Sequence, residues 1–114
     1  MSRDYRIFLD DIVQGAQQAL EYTRGYSREQ FFAERRTFQA VVLNLLFIGE
    51  ATKNIPQEIR AAYPDVPWRD MAGLRDIIVH RYFGLQKDVI WKVVHEDLPR
   101  LLAQVERILE ELAS

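Results

Sequence analysis

A chain of 114 residues, 48% of them apolar and 28% charged, has the size and composition of a single globular domain spanning residues 1–114. Because the sequence contains no cysteine, disulfides and thiolate metal sites are excluded. A net charge of −2, from 15 basic and 17 acidic residues, gives no general attraction to nucleic acid, so an RNA site would need positive charge concentrated locally.

The first predicted helix runs from about Arg3 to Thr23, where apolar residues recur every three or four positions. Gly25 is a favourable stop, and Ser27 and Gln30 have the spacing of a capping box that begins a short helix. The charged start of the chain lacks the apolar run of a signal peptide. No apolar stretch reaches the ~20 residues that a membrane span needs, so we expect a cytoplasmic protein without membrane contact.

The next long helix is predicted over about Arg35 to Asn54, and it is apolar on nearly all sides. Such a helix lies at the centre of the fold, or it also faces another subunit. Two polar residues, Asn44 and Glu50, interrupt it. Glu50 either pairs with Arg75, which would orient the guanidinium, or lies at a solvent-exposed edge. Asn44 lies about 120° from Glu50 around the helix and need not belong to the same site.

A turn containing two prolines separates a short amphipathic helix, Gln57 to Tyr63, from a helix that starts near Trp68 and is predicted to end at Gly84. The last helix is predicted from about Asp88 to Leu112, with a kink or a restart at Pro99. No segment alternates as a strand does. The predicted fold class is therefore all-α, an up-and-down bundle of four main helices plus short helices.

Three chemically useful side chains, Arg75, His80 and Tyr82, lie within eight residues of one another. Cleaving RNA without a metal needs a proton acceptor for the 2′-hydroxyl, a proton donor for the 5′-oxygen and positive charge at the phosphate. An imidazole can exchange protons near neutral pH, and a guanidinium can hold two phosphate oxygens. The commoner arrangement of such residues is a solvated helix face with an ion pair between positions four apart. Phe83 is predicted to be a core aromatic near the helix end.

The helical geometry of this segment limits what one chain can do. Arg75 and His80 lie about 140° apart around a straight helix, so they do not point at the same atom. Either the helix ends near His80 and frees its side chain, or two subunits form a composite site. The second arrangement also supplies two histidines, and we favour it. Tyr82 shares the face of Arg75 if the helix continues. We predict no metal and no cofactor, because the sequence has none of the usual ligand spacings, and His95 is expected to be a surface residue without function.

The ordered set Arg75…His80-Arg81-Tyr82 resembles the Arg-x4-His-x-Tyr signature of the HepT-like toxins of the HEPN superfamily. The resemblance extends over nearly the whole chain, through Tyr22-Thr23-Arg24-Gly25, Ile48-Gly49-Glu50-Ala51, Met71-Ala72-Gly73-Leu74 and Glu96-Asp97-Leu98-Pro99. It implies a homodimeric, metal-independent endoribonuclease whose motifs meet in a cleft between subunits. By this resemblance Arg75 and His80 are catalytic and Asp76 supports the site, and we add Glu50 and Asn44 as supporting residues.

The same resemblance implies a partner, a minimal nucleotidyltransferase (MntA-like) antitoxin that transfers AMP to Tyr82. We hypothesise that the phosphate of this AMP engages Arg75 and excludes RNA by charge and bulk. The alternative function is a non-catalytic HEPN binding module that docks a nucleotidyltransferase. A dimeric helical scaffold, suggested by the regular apolar stripe from Trp91 to Leu112, is a third reading. For the dimer contact we choose the central helix and the helix that carries the motif.

Overall fold

The computed structural model describes residues 4–113, and within that range every regular element is helical. The predicted all-α fold is confirmed, while the predicted start of the first helix at Arg3 lies outside the described residues. Along the chain the α-helices are α1 (Tyr5–Thr23), α2 (Arg28–Ala33), α3 (Arg35–Lys53), α4 (Gln57–Ala62), α5 (Trp68–Arg81), α6 (Lys87–Lys92) and α7 (Leu98–Ala113). No helix in residues 4–113 is both long enough and apolar enough to cross a bilayer.

The connection between α1 and α2 forms as its sequence predicts. Gly25 adopts a left-handed conformation with φ of 77°, which only glycine takes without steric cost, and the chain leaves α1 there. The capping box is confirmed: the Gln30 N–H donates to Ser27 Oγ at 3.1 Å, and the Ser27 N–H donates to Gln30 Oε1 at 2.9 Å. These bonds satisfy N–H groups that the first turn of a helix would otherwise leave without partners.

Helix α3 is the central element of the fold, because it packs against α1 on one side and α5 on the other. Leu45 and Ile48 are fully buried in the core that these helices share. The helix is nevertheless not covered all round, since Leu43 is 48% exposed and Phe47 is 54% exposed. The described chain therefore leaves an apolar strip of its central helix open, which suits the prediction that α3 also faces another subunit.

The helix that carries the motif ends before the predicted Gly84, near His80, which was one of the two arrangements considered for this segment. Helix α5 stops at Arg81, whose φ of −134° and ψ of 26° leave the helical region, and Tyr82–Gly84 form a separate 3₁₀ turn. The sequence places no strong breaker before Gly84, so the position of this end could not be read from residue types. Because the backbone changes direction after Arg81, Tyr82 does not continue the face of α5 that carries Arg75.

The last two helices run on through a π-helical segment, Val93–Asp97, in which the Leu98 N–H donates to the Val93 carbonyl. The predicted restart is present, and it falls just before Pro99 rather than at it. Proline has no N–H to donate, and its ring crowds the carbonyl four residues earlier. A wider π turn at this point relieves that conflict, and α7 then continues to Ala113.

Candidate functional site

The backbone of Arg75 on α5 lies close against Gly49 on α3. Gly49 makes this possible, since a Cβ at that position would lie only 2.6 Å from the Cβ of Arg75. Arg75 Nε donates to Glu50 Oε2 at 2.9 Å, and Arg75 Nη1 donates to Asp76 Oδ1 at 3.1 Å. Lys53 Nζ donates to the same Asp76 oxygen at 2.7 Å. Two carboxylates and one ammonium therefore fix the orientation of the guanidinium.

Glu50 shows both features that the sequence offered as alternatives. Its side chain is 55% exposed, as expected at a solvent-facing edge, and it also makes the predicted contact with Arg75. The side chain of Arg75 is 32% exposed, so part of it remains accessible to a ligand. Lys53 was missed in the sequence, although its spacing of three residues from Glu50 on one helix face was a usable signal.

The charges of this network stabilise one another. Hydrogen bonds to Asp76 and then to Glu50 raise the pKa of Arg75, so it stays a cation at any ordinary pH. The hydrogen bond from Lys53 lowers the pKa of Asp76 below its usual range; desolvation opposes this shift and the bond from Arg75 reinforces it. A carboxyl with a depressed pKa contributes stability above its unfolded pKa, and the contribution is lost as pH falls through the folded value. At neutral pH Arg75 and Asp76 are therefore both charged.

Removing Lys53 should make Asp76 a weaker acid. In Lys53→Met we expect the pKa of Asp76 to rise towards its ordinary value, because its first hydrogen-bond donor is gone. Carbon-detected NMR of the side-chain carboxyl over an acid titration measures this directly. Lys92→Met is the matched control, since Lys92 pairs with Asp97 at 3.6 Å and not with Asp76. An Asp76 pKa that is unchanged in Lys53→Met would contradict the network.

His80 lies apart from this network on the same helix. It is the second-last residue of α5 and its side chain is exposed. Among residues 4–113, no hydrogen bond, ion pair or ring contact joins the imidazole to Arg75 or to any other side chain. The separation that helical geometry predicted is therefore what one chain has, although α5 does end one residue after His80.

Asn44 is buried, with 5% of its surface exposed, and it lies on the α3 face that packs towards α1. It lines a cavity of about 350 Å³ to which Glu50 also contributes. Glu50 thus connects two places, since its carboxylate contacts Arg75 and borders this cavity. From the sequence, Asn44 did not need to belong to the same site as Glu50. In the structure, both residues line the same cavity.

Tyr82 lies in the 3₁₀ turn, where its half-buried ring lines a different cavity, beyond the end of α5. Within the described part of the chain, nothing hydrogen-bonds its hydroxyl, and the side chain is partly exposed. The prediction that Phe83 is a core aromatic is wrong, because its side chain is 97% exposed. The turn directs this ring outwards once the helix has ended at Arg81.

Metal ligands are not grouped in the part of the chain that the structure describes. No set of three or more His, Asp or Glu side chains there lies close enough together to hold an ion. His95 is exposed, as predicted, and its ring stacks on Trp91 with the ring centroids 3.6 Å apart.

The comparison with known families decides which group of proteins this arrangement belongs to. The sequence profile of the family described as "Ribonuclease HepT-like" matches residues 12–108. The chain belongs to the HepT-like ribonuclease family. Arg75, Asp76, His80 and Tyr82 all lie inside the matched region of this HepT-like chain.

Individual relatives of the HepT-like chain agree along almost its full length. It is 40% identical to a protein of Thermococcus cleftensis named probable ribonuclease HepT, over 95% of this chain and 98% of that protein. It is 36% identical to a protein of Methanocaldococcus jannaschii provisionally named an RNase, over 96% of this chain and 91% of that protein. A third relative, also provisionally named an RNase, comes from Caldanaerobacter subterraneus and is 38% identical over 93% of this chain and 95% of that protein. The search of solved structures gave no match.

Proposed function

We propose that this HepT-like chain folds as one HEPN domain, residues 1–114, and is the toxin of a toxin–antitoxin pair. It is a metal-independent endoribonuclease whose Arg-x4-His-x-Tyr residues act in a cleft between two identical subunits. The single observation that carries the proposal is the partly exposed side chain of Arg75, whose guanidinium is held by Glu50 and Asp76, in a chain of a ribonuclease family.

The proposed reaction is an attack by the substrate on itself. The ribose 2′-oxygen attacks phosphorus while one imidazole of His80 takes the 2′-hydroxyl proton. The phosphorus–5′-oxygen bond breaks, and a second, protonated His80 gives its proton to the departing 5′-oxygen. Arg75 stabilises the charge that grows on the non-bridging oxygens, which a rigid guanidinium does best when its orientation is fixed in advance. The products are a 2′,3′-cyclic phosphate and a 5′-hydroxyl.

A second subunit would supply the second His80 imidazole that the mechanism needs. Arg75 and His80 are not in contact within the described chain, and the mechanism uses two imidazoles. Exposed apolar side chains on the two helices that border the site, Leu43 and Phe47 on α3 and Ile77 on α5, offer a surface for a second copy. Symmetric pairing about this surface would bring two copies of α5 together.

Regulation is assigned to Tyr82. A cognate minimal nucleotidyltransferase presents ATP, the phenol oxygen of Tyr82 attacks its α-phosphorus, pyrophosphate leaves, and the phenolic proton passes to a base of the transferase. The partly exposed side chain of Tyr82, whose hydroxyl has no hydrogen-bond partner in the described part of the chain, supports this role. A neighbouring gene encoding a small protein with Gly-Ser followed by Asp-x-Asp would identify the transferase.

A second candidate function is a non-catalytic HEPN binding module that docks the nucleotidyltransferase. One observation favours it: two carboxylates already pair with the guanidinium of Arg75, which weakens its attraction for a phosphate. This module would keep the accessible Tyr82 and would not cleave RNA.

Cleavage in a chelator separates the two functions. Purified protein is incubated with end-labelled single-stranded RNA and excess EDTA, and the product ends are identified by their response to phosphatase and kinase. We expect cleavage that leaves a 2′,3′-cyclic phosphate and a 5′-hydroxyl, since the proton transfers need no metal. Activity that disappears in EDTA and returns with Mg²⁺ would contradict metal independence. An intact dimer that binds the transferase and cleaves no RNA would favour the binding module.

A further inference from the structure

The cavity beside Tyr82 has a composition unlike that of the other hollows of the fold. Its volume is about 340 Å³, within the range of roughly 300–1,000 Å³ typical of small-ligand pockets. It is formed where the start of α3 and the end of α2 face the segment after α5. Besides Tyr82, its walls are made by aromatic, aliphatic and cationic side chains: Phe32, Arg35, Phe38, Phe83, Leu85 and Lys87.

Phe83 is the least expected of these side chains. A phenylalanine that is 97% exposed gains nothing from core packing, and it stands edge-on to the ring of Tyr82 with the centroids 5.4 Å apart. Phe32 and Phe38 line the same cavity, and both are anchored by ring contacts with the buried Phe31. A planar ring entering this cavity would meet several aromatic side chains, and proteins use such side chains to stack nucleobases.

The positive charges of the cavity are available for a ligand. Arg35 and Lys87 are both exposed, and neither pairs with a carboxylate among residues 4–113. Asp88, the acidic residue next to Lys87, is already paired with Arg28. Lys87 Nζ lies 5.7 Å from the centroid of the Phe32 ring, so a cation stands directly beside the aromatic wall. In a chain of net charge −2, Arg35 and Lys87, which have no carboxylate partner in the described part of the chain, complement an anionic aromatic ligand at this cavity.

We propose that this cavity is a nucleotide subsite, in which Phe83, Phe32 and Phe38 contact the base while Arg35 and Lys87 pair with the phosphate. This role rests on the proposed function. The nucleotide that binds can come from two sources. In the active protein the occupant is a nucleotide of the RNA strand, next to the bond that His80 acts on. In the inhibited protein it is the AMP attached to Tyr82, whose own ring lines the cavity.

This assignment changes how adenylylation would inhibit. Tyr82 lines the cavity together with Arg35 and Lys87, and neither cation pairs with a carboxylate among residues 4–113. The AMP phosphate therefore finds its cations at the cavity and not at Arg75, which does not line it. The modification then blocks cleavage by filling a position that the RNA itself must use. If the modified tyrosine lay outside such a pocket, its AMP would extend into solvent. There it would block RNA binding much less.

Binding of free AMP to the unmodified protein tests the subsite without any enzymatic step. AMP is titrated into wild-type protein and followed by NMR shifts or calorimetry. We expect Phe83→Ala to weaken AMP binding about fivefold or more through lost stacking, with the fold unchanged because this ring is exposed. Arg35→Ala with Lys87→Ala should weaken AMP binding but leave the weaker binding of adenosine unaffected. Arg107→Ala, which alters an exposed cation on α7, should bind AMP as wild type does.

Two further measurements separate the sources of the nucleotide. For the RNA source, Phe83→Ala should raise KM for a single-stranded oligonucleotide about fivefold or more with kcat little changed. For the AMP attached to Tyr82, we expect that protein adenylylated at this residue no longer binds free AMP, because the attached nucleotide already fills the cavity. Wild-type protein that cleaves RNA and accepts AMP on Tyr82, yet binds no free AMP at millimolar concentration, would overturn the subsite and leave the proposed function standing. AMP binding that depends on Phe83 in a protein that neither cleaves RNA nor is adenylylated would support the subsite and reject the proposed function.

Discussion

Replacing His80 with alanine is expected to slow RNA cleavage by roughly 10²–10⁴-fold, the usual contribution of one acid–base side chain. If both histidines of a dimeric cleft take part, both are lost at once and the upper end of that range applies. The fold should not change, because the imidazole is exposed and contributes to neither the core nor a hydrogen bond of the described chain. Initial rates on a labelled oligonucleotide in EDTA, together with the melting temperature, measure the two effects separately.

The chain contains a matched control for this experiment. His95 is its only other histidine, and it is also exposed, but it stacks on Trp91 in the π-helical segment, away from the motif helix. His95→Ala should therefore cleave RNA at close to the wild-type rate. Equal activity of wild type, His80→Ala and His95→Ala would end the catalytic interpretation and leave the binding module. Loss of activity in both variants would point to a general loss of folded protein.

The helices were predictable because their cause is local. Apolar residues recur at helical spacing along α1, α3 and α7, and burying that stripe is what stabilises each helix. The capping box at Ser27 was predictable for the same reason, since its two hydrogen bonds join residues three apart. The end of α5 at Arg81 could not be predicted in this way, because no glycine or proline lies there. The surrounding packing decides where this helix stops. The wrong burial of Phe83 follows directly from that missed end.

The site was predictable only in part, because its contacts join different helices. The sequence motif pointed to Arg75 and His80. The cost of burying a carboxylate without a partner suggested that Glu50 could pair with Arg75, with a solvent-exposed edge as the alternative. Lys53 could have been placed near Glu50 from its spacing of three residues, but its bond to Asp76 depends on how α3 lies against α5. The cationic wall formed by Arg35 and Lys87 was equally hidden, because these residues are far apart in sequence and meet only in the folded chain.

Gly49→Ala is expected to destabilise the protein by roughly 2–3 kcal/mol and to disturb the site at the same time. The new Cβ would lie 2.6 Å from Arg75 Cβ and 2.9 Å from both the Arg75 nitrogen and the Met71 carbonyl oxygen. Two of these three atoms are backbone and the third is fixed directly to it, so no side-chain rotation relieves the clash and α3 must move away from α5. At ~4–8 °C for each kcal/mol, the melting temperature should fall by at least about 8 °C at matched protein concentration.

Gly73→Ala separates this packing effect from the ordinary consequence of changing a helical glycine. Gly73 lies on α5, and a Cβ there would meet nothing within 4 Å, so alanine should stabilise the helix by up to ~1 kcal/mol. Gly49→Ala and Gly73→Ala should therefore shift the melting temperature in opposite directions, although the chemical change is the same. Displacing Arg75 by about 1 Å can cost ~10²-fold in rate, so Gly49→Ala should also lose cleavage activity well below its melting temperature. If both variants were stabilised, α3 and α5 would not be in the close contact that holds Arg75, Glu50 and Asp76 together.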